Sequence, residues 1–483
     1  MSTTAARQSI SPQSAHASPR QMAAGGGLHS FGVLVLLAGA FLPIADFFIV
    51  NVALPTIDRT MHASAPTLEL IVAGYGIAYA AVLVLGGRLG DRYGRHRLFL
   101  GGLAAFMLAS LVCGLAPDIQ VLIGARVAQG AAAAMLVPQV LATCHAALEG
   151  ERKARALALY GSTSGIAAVV GQLAGGLLVH ANIAGTTWRP IFLMNIPLGL
   201  LVWVAARRVV PATKSEHPVG IDLVGTVLFA ATLVALMVPL TEGHEVGWAG
   251  WTRVLLVVSA LLAVLTFVVE RRSERRGDVP LLPPSLLRLP SMWRGLVLIL
   301  PFSMGFGSFM FVFALTVQDG LHYSALKSGL AILPMAVLFL VGSVVSPRLI
   351  ARFGRGAMAT AGVIQVAALA VLVAAMVGTW PHTTMLDLAA PLAVSGACQS
   401  ILFTGLFRVV LRDVPAHHAG VGGGVLITLQ QAGLALGVAT LGTLYLALEP
   451  HDVSHAFAWA VGVQAALVTL VVFGTRMLPR FTR

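Results

Sequence analysis

Fourteen times along its 483 residues the chain runs apolar for about the length that crosses a bilayer. The runs cover 31–54, 68–86, 98–115, 119–143, 156–178, 190–207, 221–240, 254–270, 293–317, 328–346, 357–378, 385–405, 420–446 and 455–473. A spanning α-helix takes ~20 predominantly apolar residues, and short segments separate most of these runs. Hydrophobic residues make up 57% of the chain and charged residues only 10%, against roughly a quarter charged in soluble domains. Such a chain cannot cover its surface with polar groups in water, so lipid is its solvent. In lipid each backbone N–H and C=O must be satisfied inside the protein, which selects helices. The expected fold class is all-α integral membrane, with 14 transmembrane helices.

The formal charge of +12 would suit a nucleic-acid binder, but its placement does not. With the N-terminus in the cytoplasm, 26 of the 31 Lys and Arg fall in cytoplasmic segments or the helix ends beside them. That is the positive-inside bias, and a missed or invented span would scramble it. The expectation is a multi-pass protein of the cell inner (plasma) membrane, with both termini cytoplasmic and no nucleic-acid partner. Residues 1–28, rich in Ser, Ala, Gln and Gly, are expected to form a disordered cytoplasmic tail. Cys113, Cys144 and Cys398 all fall in apolar runs and offer neither a disulfide framework nor metal-ligand spacing. Seven histidines, His62, His180, His244, His322, His382, His451 and His455, sit in outer loops or at helix ends as solvated side chains, with no metal-binding constellation. There is no Walker-type phosphate cradle, zinc spacing or nucleophile elbow. These absences point away from an enzyme and from an ATP-driven pump. An ion gradient remains as the energy source, with no cofactor and no metal.

The chain also repeats itself. Arg88, Leu89, Arg92, Gly94 and Arg95 after the second run recur as Arg348, Leu349, Arg352, Gly354 and Arg355 after the tenth. Both copies lie on the cytoplasmic side, two helices into a block of six. The division expected is an N-terminal six-helix bundle over 29–210, a two-helix insertion over 211–280 and a C-terminal six-helix bundle over 281–476, followed by a cytoplasmic tail over 477–483. Parallel halves of this kind suit a transporter with its binding site near the bilayer midplane.

Asp46 is the most informative side chain, a carboxylate well inside a span. An ionised acid at membrane depth costs at least ~3 kcal/mol and is a functional candidate by default. From a rise of ~1.5 Å per residue, Asp46 lies roughly 13 Å below the outer end of the first helix, and Arg126 roughly 10 Å below the outer end of the fourth. Opposite charges at similar depth predict that Asp46 carries a coupling proton while Arg126 tunes its affinity. The competing reading is a static buried pair that ties two helices together.

The repeated segment Gly87-Arg-Leu-Gly-Asp-Arg-Tyr-Gly-Arg-His-Arg97 resembles the loop signature of the major facilitator superfamily. Asp46-Phe-Phe-Ile-Val-Asn-Val-Ala-Leu-Pro55, Arg126-Val-Ala-Gln-Gly130 and Trp188-Arg-Pro-Ile-Phe-Leu-Met-Asn-Ile-Pro197 resemble, in order, motifs of its fourteen-helix drug–proton antiporters, the EmrB/QacA-type branch. The likeness implies proton-driven export of hydrophobic or amphiphilic compounds, as in multidrug or antibiotic efflux; nothing in the sequence asks for an oligomer, and a monomer is expected. It also implies a conformational-switch loop over Gly87, Arg88, Gly90, Asp91, Arg92, Gly94 and Arg95. In it Asp91 with Arg88, Arg92, Arg95 and Arg97 forms an ion network that steadies one transport conformation, and the glycines permit the tight backbone. The alternative is that the arginines enforce topology alone. The fifth-helix motif is represented by Gly171, Gly175 and Gly176. There Gln172 stands where the antiporters usually have proline, and Phe48 where the first-helix motif usually has threonine.

For the solute itself, Asn51, Gln129, Gln172, Gln430 and Gln431, with Gln365 and Gln399, are candidate cavity residues, although interhelical hydrogen bonding suits any one of them equally. Phe302, Phe306, Phe309 and Phe313 share one face of the ninth helix and are candidates for an apolar lining. Asp319 is a candidate second proton site. The partners expected are a small-molecule substrate, protons and the lipid bilayer. Two alternatives stay open: a transporter of the same fold for a physiological metabolite, and a transport-inactive membrane sensor.

Overall fold

The structure, a computed structural model, describes residues 28–215, 220–243, 246–278, 280–414 and 419–478. Residues 1–27 of the expected tail, residues 479–483 of the second tail and His244 lie outside the described residues. Leu28 is buried, and Arg152 donates to its carbonyl at 2.7 Å, so packing begins one residue before the expected boundary.

In chain order the helices are α1 (Ser30–Met61), α2 (Ala65–Tyr93), α3 (Arg95–Leu115), α4 (Ile119–Ala147), α5 (Gly150–Ala181), α6 (Pro190–Leu193), α7 (Asn195–Val209), α8 (Leu223–Glu242) and α9 (Gly250–Arg275). There follow α10 (Pro284–Leu287), α11 (Pro290–Leu315), α12 (Ala325–Ala331), α13 (Leu333–Phe353), α14 (Arg355–Thr379), α15 (Met385–Leu411), α16 (Ala419–Gly437), α17 (Thr443–Leu448) and α18 (Val453–Gly474). Among the described residues, thirteen helices are long and apolar enough to cross a membrane. The predicted run 156–178 lies in α5, a helix of 32 residues whose described apolar section is Ile166–Ala181.

Helices outlast the apolar runs that announce them, because polar caps and charged turns continue the hydrogen-bonding past the lipid. Asp118 accepts from the Val121 amide at 2.8 Å, Asp222 from Gly225 at 2.7 Å, and Thr384 with Asp387 forms a capping box on α15. Two predicted runs are broken. Pro197 has no N–H to offer the Leu193 carbonyl, and the run 190–207 splits there into α6 and α7. Pro334 does the same between α12 and α13. A π-helical turn over Thr316–Gly320 extends α11, and another over Val438–Gly442 joins α16 to α17.

α2 and α3 pack against α4, and α1 against α5; α13 and α14 pack against α15, and α11 against α16. These two sets meet through α2 against α16 and through α5 against α12 and α13. α8 and α9 pack on each other, and α8 also lies on α2. Glycine sets the closest approaches. A Cβ on Gly171 would stand 2.5 Å from the Ala45 carbonyl oxygen, and one on Gly175 would stand 2.9 Å from that of Ile49, so α5 rides on the backbone of α1. A Cβ on Gly176 would stand 2.6 Å from the Ala325 carbonyl oxygen, which brings α5 equally close to α12. The three motif glycines therefore lie on one line of contact running from α1 through α5 to α12.

Candidate functional site

The site is built where α1, α3, α4 and α7 meet. α2 and α4 approach so closely that a Cβ on Gly130 would overlap the Tyr75 carbonyl. This puts the Tyr75 ring 4.3 Å from the guanidinium carbon of Arg126. Arg126 donates through Nη1 to Asp46 at 2.5 Å and to Gln129 Oε1 at 2.7 Å, and through Nε to the Ile71 carbonyl at 3.1 Å. Asp46 also accepts from Gln129 at 2.9 Å and from Asn195 at 2.6 Å. Ser110 on α3 accepts from both amides, at 2.8 and 3.3 Å. Both charged side chains are fully buried. A buried ion pair persists only when its remaining hydrogen-bonding capacity is met, and three neutral partners, Gln129, Asn195 and the Ile71 carbonyl, meet most of it here. The depth arithmetic thus located two residues that touch.

Beside this network lies a cavity of about 990 Å³. It runs from Phe48, Gln172 and Met310 inside the membrane to a mouth at Gly87, Arg88, Asp91, Arg95 and His145. Neither Asp46 nor Arg126 lines it. Tyr75 and Phe47 do, with their rings 5.9 Å apart, and they wall the charged network off from the cavity. Asp46 borders a separate small void with Gly171, Ala174 and Asn195. At the end away from the mouth the helices are closed. Gln318 donates to the Val52 carbonyl at 3.0 Å, and Thr443 donates to the carboxylate of buried Glu69 at 2.9 Å.

The candidate cavity residues divide. Gln172, Gln399, Gln430 and Gln431 line the cavity. Gln129 does not, because it is spent on the ion pair, and Asn51 does not, because its amide donates back to the Phe47 and Phe48 carbonyls of its own helix, both at 3.3 Å. Gln365 is buried elsewhere. Of the four phenylalanines expected on one face, Phe302 and Phe306 line the cavity. Phe309 and Phe313 stack on each other instead, 5.6 Å apart in the protein interior.

The loop segment also departs from expectation. Asp91 pairs with Arg95 at 2.7 Å, one turn along, rather than joining a wider network. Arg92 lies over the Tyr93 ring at 5.8 Å. Arg88 is the residue that reaches out. It is buried and donates to the carbonyls of Gly220 at 3.1 Å and Pro280 at 2.5 Å, at the two ends of the inserted pair α8–α9. Asp222 and Glu270 stand behind those carbonyls, accepting from the amides of Leu281 at 2.9 Å and Leu282 at 3.1 Å. Gly94 holds the joint between α2 and α3 at φ +104°, a conformation that favours glycine. Gly90 leaves room for Gln139, whose amide donates to the Gly86 carbonyl at 2.8 Å.

Sequence reasoning missed Asn195, Ser110, Tyr75, Glu69, Gln139, Asp222 and Glu270. Asn195 lies within the Trp188–Pro197 motif, and Glu69 is at the first residues of an apolar run, where an acid passes for an interface residue. Asp319 is exposed, close to Asp58, Arg59 and Glu449 at the closed end. Burial, with Asp319 and Asp58 adding to it, pushes the Glu449 carboxyl up to about 7.

An all-helical membrane chain with a central cavity open at one face is the architecture of a solute transporter. Comparison with known proteins gives the family. The model of the Major Facilitator Superfamily matches residues 36–438, and the chain belongs to that family. It is 36% identical to a probable actinorhodin transporter of Streptomyces coelicolor, covering 86% of this chain and 72% of that one. It is 34% identical to a cephamycin export protein of Amycolatopsis lactamdurans, covering 93% of each. With the multidrug resistance protein Stp of Mycobacterium tuberculosis it shares 31% identity over 87% of this chain and 78% of that one. The crystal structure of a D-xylose–proton symporter superposes with a TM-score of 0.65 at 11% identity, covering 93% and 97% of the two chains, which shows a common fold.

Proposed function

We propose that this multi-pass membrane protein is a proton-coupled secondary transporter that exports hydrophobic or amphiphilic small molecules, of the multidrug or antibiotic kind, by alternating access. The export, resistance and transport proteins among its relatives support the direction and the class of solute. The observation that carries the coupling is the Asp46–Arg126 network, sealed from the solute cavity by Tyr75 and Phe47 but sharing those two walls with it. Proton and solute thus occupy different chambers with a common partition.

In this reading α5 is the fourteenth span, at 32 residues long enough to cross the bilayer. The six-helix bundles over 29–210 and 281–476 rock about the cavity, with the pair over 211–280 inserted between them. The chain works as a monomer in the plasma membrane, with both termini cytoplasmic and no cofactor or catalytic step. The basic mouth then faces the cytoplasm, and the structure is inward-open. A proton on Asp46 cancels its charge and removes most of the attraction to Arg126, while Gln129 and the Ile71 carbonyl still hold the guanidinium. The freed α1 carries α5 with it, because Gly171 and Gly175 seat α5 on the α1 backbone, and Gly176 passes the movement to α12. The partition at Tyr75 moves with the same helices, which couples proton state to solute affinity.

The test is transport in proteoliposomes with an imposed pH gradient. Asp46→Asn keeps the size of the side chain and the oxygen that accepts from Gln129 and Asn195, gives up the bond accepted from Arg126, and removes the titration. Gradient-driven accumulation is expected to vanish, with solute binding and counterflow retained. Undiminished proton-driven accumulation by Asp46→Asn would sink the proposal.

A further inference from the structure

We infer that the cavity takes flat aromatic compounds bearing several oxygens, neutral or with an acidic group, and turns away organic cations. The inference deepens the reading of this cavity as the solute site and rests on it.

Shape comes first. One wall is a run of phenylalanine rings, with Phe403 set 6.5 Å from Phe302, 6.2 Å from Phe339 and 4.4 Å from Phe407. On the other side Tyr75 and Tyr79, both lining the cavity, stack at 6.2 Å with ring planes 6° apart. Two aromatic walls favour a planar guest, because offset stacking adds about 0.5–1.5 kcal/mol per pair beyond burial. A volume of about 990 Å³ lies at the upper end of the roughly 300–1,000 Å³ typical of small-molecule sites, enough for several fused rings.

Polar chemistry comes second. Between the walls the hydrogen-bonding groups include the amides of Gln172, Gln399, Gln430 and Gln431, with the Ser303 hydroxyl beside them. Gln399 is only 2% exposed, and its Oε1 has no hydrogen-bond partner among the described residues. A buried amide left unsatisfied costs about 1–3 kcal/mol. A guest hydroxyl removes that cost by donating to Oε1, while quinone and carboxylate oxygens accept from the amide NH2 groups around it; a bare hydrocarbon does neither.

Charge comes third. Asp91 is the single acid lining the cavity among the described residues; it lies at the mouth and is already paired with Arg95. Asp46 is behind the tyrosine wall, held by Arg126. Arg88 and Arg95 leave the mouth net basic. A cation here faces a desolvation penalty of several kcal/mol with no free carboxylate, and aromatic faces return only about 2 kcal/mol.

The experiment is equilibrium binding to the full-length protein in nanodiscs with no gradient, so it succeeds or fails independently of proton-driven export. The probes are dihydroxyanthraquinone, anthraquinone-2-carboxylate, anthracene and ethidium. Both anthraquinones are expected to bind at least about tenfold more tightly than ethidium. Gln399→Leu should weaken the anthraquinones about tenfold and leave anthracene unchanged. Gln399→Glu should reverse the order, improving ethidium and weakening the carboxylate, a reversal that a misfolded protein cannot produce. Ethidium binding as tightly as the anthraquinones would overturn the inference, as would an unchanged order in Gln399→Glu.

Discussion

Helices α1–α7 bury Asp46, Glu69, Arg88 and Arg126, whereas among the described residues of α11–α18 every buried polar side chain is uncharged. The repeated loops show the same asymmetry. Arg88 is buried against the inserted pair, while its counterpart Arg348 is exposed; Asp91 has its arginine partner, while Ala351 stands in its place. Two copies of one helical pattern have therefore divided the labour. One set of helices holds groups that can change charge, and the other presents rings and amides to the cavity. A site that must change its charge is costly to bury, so confining it to one set leaves the other free to vary its lining without disturbing an ion pair.

The largest effect that would break this contrast lies in the charged network. Arg126→Leu strands the Asp46 carboxylate among apolar neighbours and should cost about 3–5 kcal/mol, as buried pairs do when one partner is removed. Thermal unfolding of the detergent-solubilised protein reads this directly. Asp46→Asn combined with Arg126→Leu should recover most of the loss, because no unpaired charge remains. A double variant as unstable as Arg126→Leu would mean that the guanidinium matters for packing against Tyr75 rather than for charge. On the other side, Gln399→Leu should leave stability within about 1 kcal/mol of the parent.

The two loop copies provide the next comparison. Arg88→Ala removes two charge-assisted hydrogen bonds and leaves Asp222 and Glu270 without their cation, at about 1.5–3 kcal/mol. Hydrogen exchange should accelerate at the amides of Leu281 and Leu282, which those carboxylates hold. Arg348→Ala should change stability by no more than about 0.5 kcal/mol. Equal protection at Leu281 and Leu282 in both variants would show that the inserted pair is held by α8 lying on α2, with no need of the arginine.

Which of these features can be read from sequence follows from their dimensionality. The apolar runs and the depth of Asp46 and Arg126 are one-dimensional quantities, lengths along a helix axis. Among the described residues thirteen of the runs fall in helices long and apolar enough to cross a membrane, and the two charges touch. The partners of the pair are an angular matter. Asn195 and Ser110 reach Asp46 because α3 and α7 present particular faces, and no rise per residue reveals a face. The loop arginines failed for another reason. The positive-inside bias accounts for all of them equally, so it hid that Arg88 alone is buried. The cavity glutamines were half right because a span glutamine has two uses. Gln172, Gln430 and Gln431 face the cavity, while Gln129 serves the ion pair.

The smallest effect concerns the closed end, where half-buried Glu449 stands beside exposed Asp319. Glu449 is half-buried, and its carboxyl titrates near 7 in the folded protein against an ordinary 4.5. Between those values the folded state holds a proton that the unfolded state has released, so stability falls as pH rises from about 4.5 to about 7. Partial exposure screens the contribution, and Asp58 and Asp319, which face the same group, make the titration a shared one. Glu449→Gln keeps the shape, removes the proton and should flatten the fall. Unfolding temperatures of parent and variant should agree near pH 5 and diverge near pH 8, with the variant higher. Parallel curves would mean that Glu449 is as well solvated as any loop acid, and that the C-terminal helices keep ionisable groups out of their shelter altogether.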